Sequence, residues 1–251
     1  MSTAVVFAAG PLGPESLESL RPRVVGRSVD GRVVDVVIAA DGGLDLARRL
    51  GVEPDLVIGD MDSVDPGSLD SARREGVEVR EFPAAKDETD YELAIDAAID
   101  AGAERVTVVG SESGRIDHLY ATLLTLCSPR FAGLSLDAWL GGNYLKVLNG
   151  AGIAGDDAAE GCMPPDSPST AVIEGRPGAQ VSLFAMNGAA LGVTTTGLRW
   201  GLDGDDLAPG SSRGVSNELL GANASVRVGS GCLAVVVPAA PETGDNREVA
   251  Q

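Results

Sequence analysis

The amino-acid sequence predicts an α/β protein, with a parallel-sheet domain over residues 1–140 followed by a small all-β domain over 141–240. Two observations carry this. In the first half, short runs rich in Val and Ile alternate with stretches of helical spacing, the pattern of strands covered on both faces by crossover helices. In the second half the apolar runs continue between Gly-rich turns while the helical spacing stops, as in a small sandwich or barrel.

The expected strands of the first half are 4–8, 33–40, 56–58, 77–82 and 106–109, with helical stretches at 44–50 and 91–101. The second helix is well marked. Thr89 and Glu92 have capping-box spacing, and Tyr91, Ile95 and Ile99 fall on one face. Residues 149–170 are rich in Gly, Ala, Asp and Pro with little periodicity, and are expected to form a flexible insertion. Strands are then expected at 181–185, 191–196, 225–228 and 233–237, and a disordered polar tail at 241–251.

Composition narrows the function. The formal net charge is −18, which argues against nucleic acid, since such partners are bound by neutralising phosphates. The same field repels a nucleotide unless carboxylates hold a divalent cation that attracts it. No apolar run is long enough to cross a bilayer, and Met1 to Ala9 lack a basic signal region, so a cytoplasmic protein with no membrane partner is expected. Cys127, Cys162 and Cys232 form no CxxC pair and His118 is the only histidine. A structural zinc site is therefore not expected, and the cysteines should be reduced.

Ligands of open parallel sheets bind at the carboxyl ends of the strands, so the residues following each strand are the candidates. They are Asp41-Gly42-Gly43, then Gly59-Asp60-Met61-Asp62-Ser63, then Lys86-Asp87-Glu88-Thr89-Asp90, then Gly110-Ser111-Glu112-Ser113-Gly114-Arg115-Ile116-Asp117-His118. Carboxylates gathered on one edge raise each other's pKa values unless a cation joins them, and magnesium takes a few carboxylate oxygens plus phosphate. Singly, each piece has a plainer reading. Asp41 can be a turn or cap, Asp60 and Asp62 a loop, Asp90 a favourable charge at a helix start, and Arg115 and Asp117 a surface pair. Their coincidence on successive strand ends favours a site. GxxxxGK[ST] is missing, as is GxGxxG after the first strand, and no GxSxG elbow supports a hydrolase using His118, which argues against the corresponding kinase, nicotinamide and hydrolase readings.

In this order the motifs resemble the thiamine pyrophosphokinase family. The likeness runs from Ala40-Asp41-Gly42-Gly43 and Pro54 to Ser63 through Lys86 to Asp90 and Gly114 to His118. It continues in Val181-Ser182-Leu183, Thr195 to Trp200 and Ser216-Asn217-Glu218. The resemblance implies a Rossmann-like α/β catalytic domain, a β-sandwich thiamine-binding domain, and a homodimer with active sites between subunits. ATP and thiamine would give AMP and thiamine diphosphate. It further implies Mg2+ on Asp60, Asp62 and Asp90; ATP contacts from Asp41, Gly42, Gly43, Lys86 and Arg115; and a thiamine site of Trp200, Ser216, Asn217 and Asp117. Asp41, Asp62, Asp90, Arg115 and Asp117 would be the catalytic set, with Asp117 or Asp41 taking the hydroxyl proton. Trp200 can equally be a core residue of the β-domain. A hydroxymethylpterin acceptor, or a non-catalytic nucleotide-binding protein, are the alternative functions.

Overall fold

The computed structural model describes residues 1–111, 114–153, 159 and 165–238. The first part comprises β1 (Thr3–Ala8), α1 (Pro14–Leu20), β2 (Ser28–Val29), β3 (Arg32–Val33), β4 (Val36–Ala40), α2 (Gly43–Arg49), β5 (Leu56–Gly59), α3 (Pro66–Glu75), β6 (Glu78–Glu81), α4 (Asp90–Asp100), β7 (Arg105–Gly110), α5 (Ile116–Leu126) and β8 (Ser135–Leu140). Strands β8, β7, β1, β4, β5 and β6 lie side by side in that order, all parallel. All six residues of β1 are buried, as a strand covered on both faces requires. Ile95 and Ala98 of α4 and Leu126 of α5 pack into one core, while Leu46 and Ala47 of α2 pack into another with Val5 and Phe7. At the sheet edge, β6 exposes Glu78, Arg80 and Glu81, charges that discourage further strand pairing.

From β1 the chain steps outward through β4, β5 and β6, then returns to place β7 and β8 on the other side of β1. Open sheets with such a reversal bind ligands at the carboxyl ends of their strands.

The expected strand at 33–40 is split. Asp30 and Gly31 take φ of 47° and 75°, a turn that suits a tight hairpin, and β2 and β3 pair there as a separate ribbon. Val33 is left exposed, and β4 begins at Val36. The sequence reading also passed over α1, α3, α5 and β8. For α3 the signs were local: Asp65 caps the Ser68 amide at 2.9 Å, Pro66 opens the helix, and Gly76 closes it at φ 86°.

The capping box of α4 is present. The Glu92 amide donates to the Thr89 hydroxyl at 3.2 Å, and the Thr89 amide to the Glu92 carboxylate at 2.9 Å. Thr89→Ala is expected to lower unfolding stability by about 1 kcal/mol, measured as a shift in urea midpoint with an unchanged slope.

The C-terminal region is β-rich: β9 (Asn143–Asn149), β10 (Ser169–Glu174), β11 (Gln180–Thr196), β12 (Asp203–Leu207), β13 (Asn217–Glu218), β14 (Asn223–Val228) and β15 (Ser230–Val237). β9 pairs with β8 on one side and β15 on the other, so hydrogen bonding runs on across residue 140. The strands expected at 181–185 and 191–196 are one, β11. It pairs with β15 through Met186, shifts register beyond it, and ends against β14. Asn187 at φ 58° and Gly188 at φ 147° bend it there, the effect of a bulge. A single core of Val181, Leu183, Val193, Leu207, Val226 and Leu233 lies inside.

Cys127 and Cys232 are buried free thiols, and Cys162 lies outside the described residues. So do the tail expected at 241–251 and the middle of the expected insertion at 149–170. The flanks of that insertion are built into the sheet: Ala151 bridges Ser230, and Ser169 begins β10.

Candidate active site

Asp41 follows β4 in the left-handed region, at φ 47°, and is buried. Its carboxylate accepts from the Ser63 hydroxyl and, at 3.4 Å, from the Ser63 amide. Asp60 follows β5 and accepts from the Asp62 amide at 3.2 Å. Met61 between them sits at φ 63°. Oxygens of Asp41, Asp60 and Asp62 come within 4.8 Å of one another. Gly59 makes this approach possible, because a Cβ there would lie 3.0 Å from Asp90 Cγ and 3.1 Å from Asp41 Cβ.

Asp90 opens α4 beside the cluster. Lys86 Nζ is 3.0 Å from Asp90 Oδ1 and 3.7 Å from Asp60 Oδ2. The closer contact is an ion pair without hydrogen-bond alignment, and Asp90 Oδ1 is a buried oxygen with no hydrogen-bond donor. The magnesium set expected from the motifs was Asp60, Asp62 and Asp90. The geometry groups Asp41 with Asp60 and Asp62, and sets Asp90 against Lys86.

Four carboxylates thus face one ammonium, and their proton affinities record it. The charges of Asp60 and then Asp41 push Asp62 above the usual carboxylate range. Burial pushes Asp90 up, with Lys86 opposing and Asp60 and Asp41 adding to the rise. For Lys86 burial acts downward, but the contact with Asp90 at 3.0 Å, with the charges of Asp60 and Asp41, outweighs it and holds the ammonium protonated. An all-oxygen donor set with surplus negative charge and an unsatisfied buried carboxylate oxygen fits a hard divalent cation.

A cavity of about 780 Å³ opens from this cluster. It joins six of the residues singled out by sequence: Asp41, Asp60, Asp62, Lys86, Asp90 and Asp117. Arg115 is not in its lining. Its exposed guanidinium pairs with Asp117 at 2.6 Å and holds that carboxyl below the usual range. Gly42 and Gly43 do not line it either. A Cβ on Gly43 would fall 2.1 Å from the Phe7 carbonyl oxygen, so this glycine lets α2 press against β1.

Trp200 and Asn217 line a second cavity, about 330 Å³, that shares no residue with the first. Trp200 is 55% exposed, which rules out its reading as a core residue, and the Arg199 guanidinium lies 5.2 Å from the ring centroid. The buried Asn217 amide is spent locally. Its oxygen accepts from the Trp200 and Glu218 amides at 3.0 and 2.9 Å, and its nitrogen donates to the Trp200 carbonyl at 2.7 Å. Asn217 therefore positions Trp200. Ser216 is exposed at φ 57°.

Several lining residues had no role assigned from sequence: Tyr91, His118, Thr122 and Thr125, together with Ser63, which anchors Asp41. Thr122 and Thr125 belong to α5, whose helical spacing would have shown them on one face.

Sequence comparison with known families gives two matches in chain order. "Thiamin pyrophosphokinase, catalytic domain" matches residues 32–136, and "Thiamin pyrophosphokinase, vitamin B1 binding domain" matches residues 171–233. Together they span about two thirds of the chain. The chain belongs to the thiamin pyrophosphokinase family. The first match contains every strand-end candidate from Asp41 to Asp117, and the second contains Trp200, Ser216 and Asn217. No curated protein matches the chain in sequence.

Solved structures share the fold at low identity. The thiamine pyrophosphokinase of Bacillus subtilis superposes with a TM-score of 0.73 at 20% identity, over 96% of this chain and 100% of that one. The Geobacillus thermodenitrificans enzyme gives 0.69 at 23%, over 97% and 99%. That of Candida albicans gives 0.66 at 12%, over 94% and 88%.

Proposed function

We propose that this chain is a cytoplasmic, magnesium-dependent enzyme that transfers the pyrophosphoryl group of ATP to the hydroxyl of thiamine, releasing AMP and thiamine diphosphate. The observation that carries the reading is the convergence of Asp41, Asp60 and Asp62 at adjacent strand ends, beside Lys86 and Asp90 and open to a cavity large enough for a nucleotide. Magnesium held by Asp60 and Asp62, with Asp41 or Asp90 completing the set, would offset phosphate charge and polarise the transferred group. Lys86, kept protonated by Asp90 and Asp60, supplies the fixed positive charge on this edge. Asp117 stays ionised at neutral pH because Arg115 holds it so. It suits orienting the attacking hydroxyl better than stripping its proton, and phosphoryl-type transfers depend chiefly on position and charge.

The test is incubation with ATP and magnesium, with thiamine and a hydroxymethylpterin offered in parallel. AMP and thiamine diphosphate should appear together; ADP as product, or unchanged thiamine while a hydroxymethylpterin is consumed, would refute the assignment.

Residues 1–140 serve in this reading as the catalytic unit and 141–240 as a β-sandwich thiamine-binding unit, in a homodimer with active sites between subunits. Two apolar surfaces support it. Ile116, Tyr120 and Leu124 are exposed four residues apart along α5, next to the cavity, and Trp200, Val215 and Leu220 are exposed on the β-rich unit. Sedimentation equilibrium should return twice the 25.5 kDa of the chain, and a strictly monomeric, fully active protein would defeat the shared site.

Magnesium should also change the response to pH. In the metal-free protein Asp62 and Asp90 bind protons more tightly than an ordinary aspartate, whose pKa is 3.8. Their contribution to stability is thus present below that value and lost as pH rises through the raised folded values. Metal requires the ionised forms. The rise in Tm on adding magnesium is therefore expected at neutral pH and should vanish on acidification into the carboxylate range, as a thermal melt series will show.

A further inference from the structure

At the amino ends of β7 and β8, the end of the sheet opposite the carboxylate cluster, lies a cavity of about 400 Å³. It shares no residue with the two cavities described above. Its charge is the reverse of the chain's. In a protein of net charge −18, Arg32, Arg105 and Lys146 line this cavity, and Asp137 is the one carboxylate among its described lining residues. Arg32 is exposed on β3, and its side chain makes no ion pair or hydrogen bond among the described residues.

The other two cations are held loosely. Asp137 is 1% exposed and accepts from the Thr107 hydroxyl at 2.5 Å. Its other oxygen stands 3.5 Å from Lys146 Nζ and 3.7 Å from an Arg105 nitrogen, beyond the roughly 2.7–2.9 Å of a charge-assisted hydrogen bond. Lys146 also donates to the Ser135 hydroxyl at 3.1 Å. Burial pushes Lys146 below the usual lysine range; Asp137 opposes this, while Arg105 and Arg32 add to the fall. Neutralising the buried Asp137 takes one cation, and the two guanidinium groups then only repel Lys146. An anion would remove that repulsion.

The donors indicate which anion. Two planar guanidinium forks and an ammonium suit a phosphate, which offers more oxygens than a carboxylate and, as a dianion, the two charges that the cavity lacks. Lys146 and Arg105 keep 14% and 22% of their side-chain surface accessible, so both remain open to solvent. The cavity is larger than a bare phosphate, and Thr170 and Val172 of β10 contribute to its wall.

We infer that the cavity lined by Arg32, Arg105 and Lys146 binds a phosphate dianion, free or as the terminal group of a small molecule, apart from the catalytic cavity. The site stands whether or not thiamine is the acceptor.

Calorimetric titration in EDTA at constant ionic strength, with inorganic phosphate, glycerol phosphate and acetate as probes, is the test. Without magnesium the catalytic carboxylates repel phosphate. Both phosphates should bind, and acetate more weakly than either. Tighter binding of glycerol phosphate identifies a phosphorylated small molecule as the ligand, and equal binding identifies free phosphate. Arg32→Gln should raise the phosphate Kd roughly three- to thirtyfold without lowering the ligand-free Tm, because that guanidinium has no partner to lose. Arg74→Gln removes an exposed charge on α3, and Lys86→Gln removes the ammonium beside the catalytic carboxylates; neither should change the phosphate Kd. No saturable phosphate binding, acetate binding as tight as phosphate, or an unchanged Kd in Arg32→Gln overturns the inference. An equal loss in Arg74→Gln also overturns it, since net charge alone would then explain binding. So does a loss in Lys86→Gln alone, which would put the anion in the catalytic cavity.

Discussion

Asp60→Asn and Asp62→Asn are each expected to lower kcat for pyrophosphoryl transfer on the order of 10²–10³-fold, the scale of losing one group that stabilises transition-state charge. Folding should survive. Asp62 is repelled by Asp60 and Asp41, so removing either charge of this pair relieves strain in the metal-free protein, and Tm should hold or rise. Asn keeps the size of the side chain and can still accept one hydrogen bond, which preserves the turn through Met61. Two measurements made together separate the explanations. A fall in rate with intact Tm places the loss in cation and phosphate handling. Rates within tenfold of the parent in both variants would mean that these carboxylates are loop residues.

Gly43→Ala should do the opposite, damaging stability first. Its Cβ would meet the Phe7 carbonyl oxygen at 2.1 Å, Phe7 carbonyl carbon at 2.5 Å and the Ala8 amide nitrogen at 2.9 Å. All three are backbone atoms of a central strand, so no side chain can swing aside. α2 must retreat from β1, and the cost should be about 3 kcal/mol, although Ala is intrinsically the better helix former. Gly13→Ala is the control, since nothing lies within 4 Å of a Cβ there, and its effect should stay within about 0.5 kcal/mol. Denaturant titration decides. Equal midpoints for the two variants would show that α2 is not held against β1 as closely as the structure has it. Asp41 lies two residues before Gly43, so turnover should fall with stability.

Much of the α/β part was legible because its signals are local. Buried parallel strands read as continuous apolar runs, and the capping box at Thr89 and Glu92 announced α4 correctly. The strand-end rule gathers Asp41, Asp60, Asp62, Lys86, Asp90 and Asp117 on one edge, and one cavity is lined by them all. Errors arose where periodicity was weighed above turn chemistry. The hairpin turn at Asp30-Gly31 draws Val33 into a separate ribbon and so shortens the run at 33–40, and the bend at Asn187-Gly188 carries β11 across what had looked like two strands.

The sequence by itself determined the residue types, their order and the sheet edge on which they meet. These follow from patterns within a few residues, the range over which hydrophobic period, caps and turns act. Only the tertiary structure decided which groups touch. It placed Asp41 with Asp60 and Asp62, turned Asp90 toward Lys86, directed Arg115 to Asp117 and left the Tyr91 hydroxyl without a partner. Some of these pairings join residues far apart in the chain, as Asp41 with Asp60, and all of them depend on side-chain direction and on distances of a few ångströms. No local pattern specifies either; they are set when helices pack on a twisted sheet and each carboxylate takes the place that charge and volume leave open.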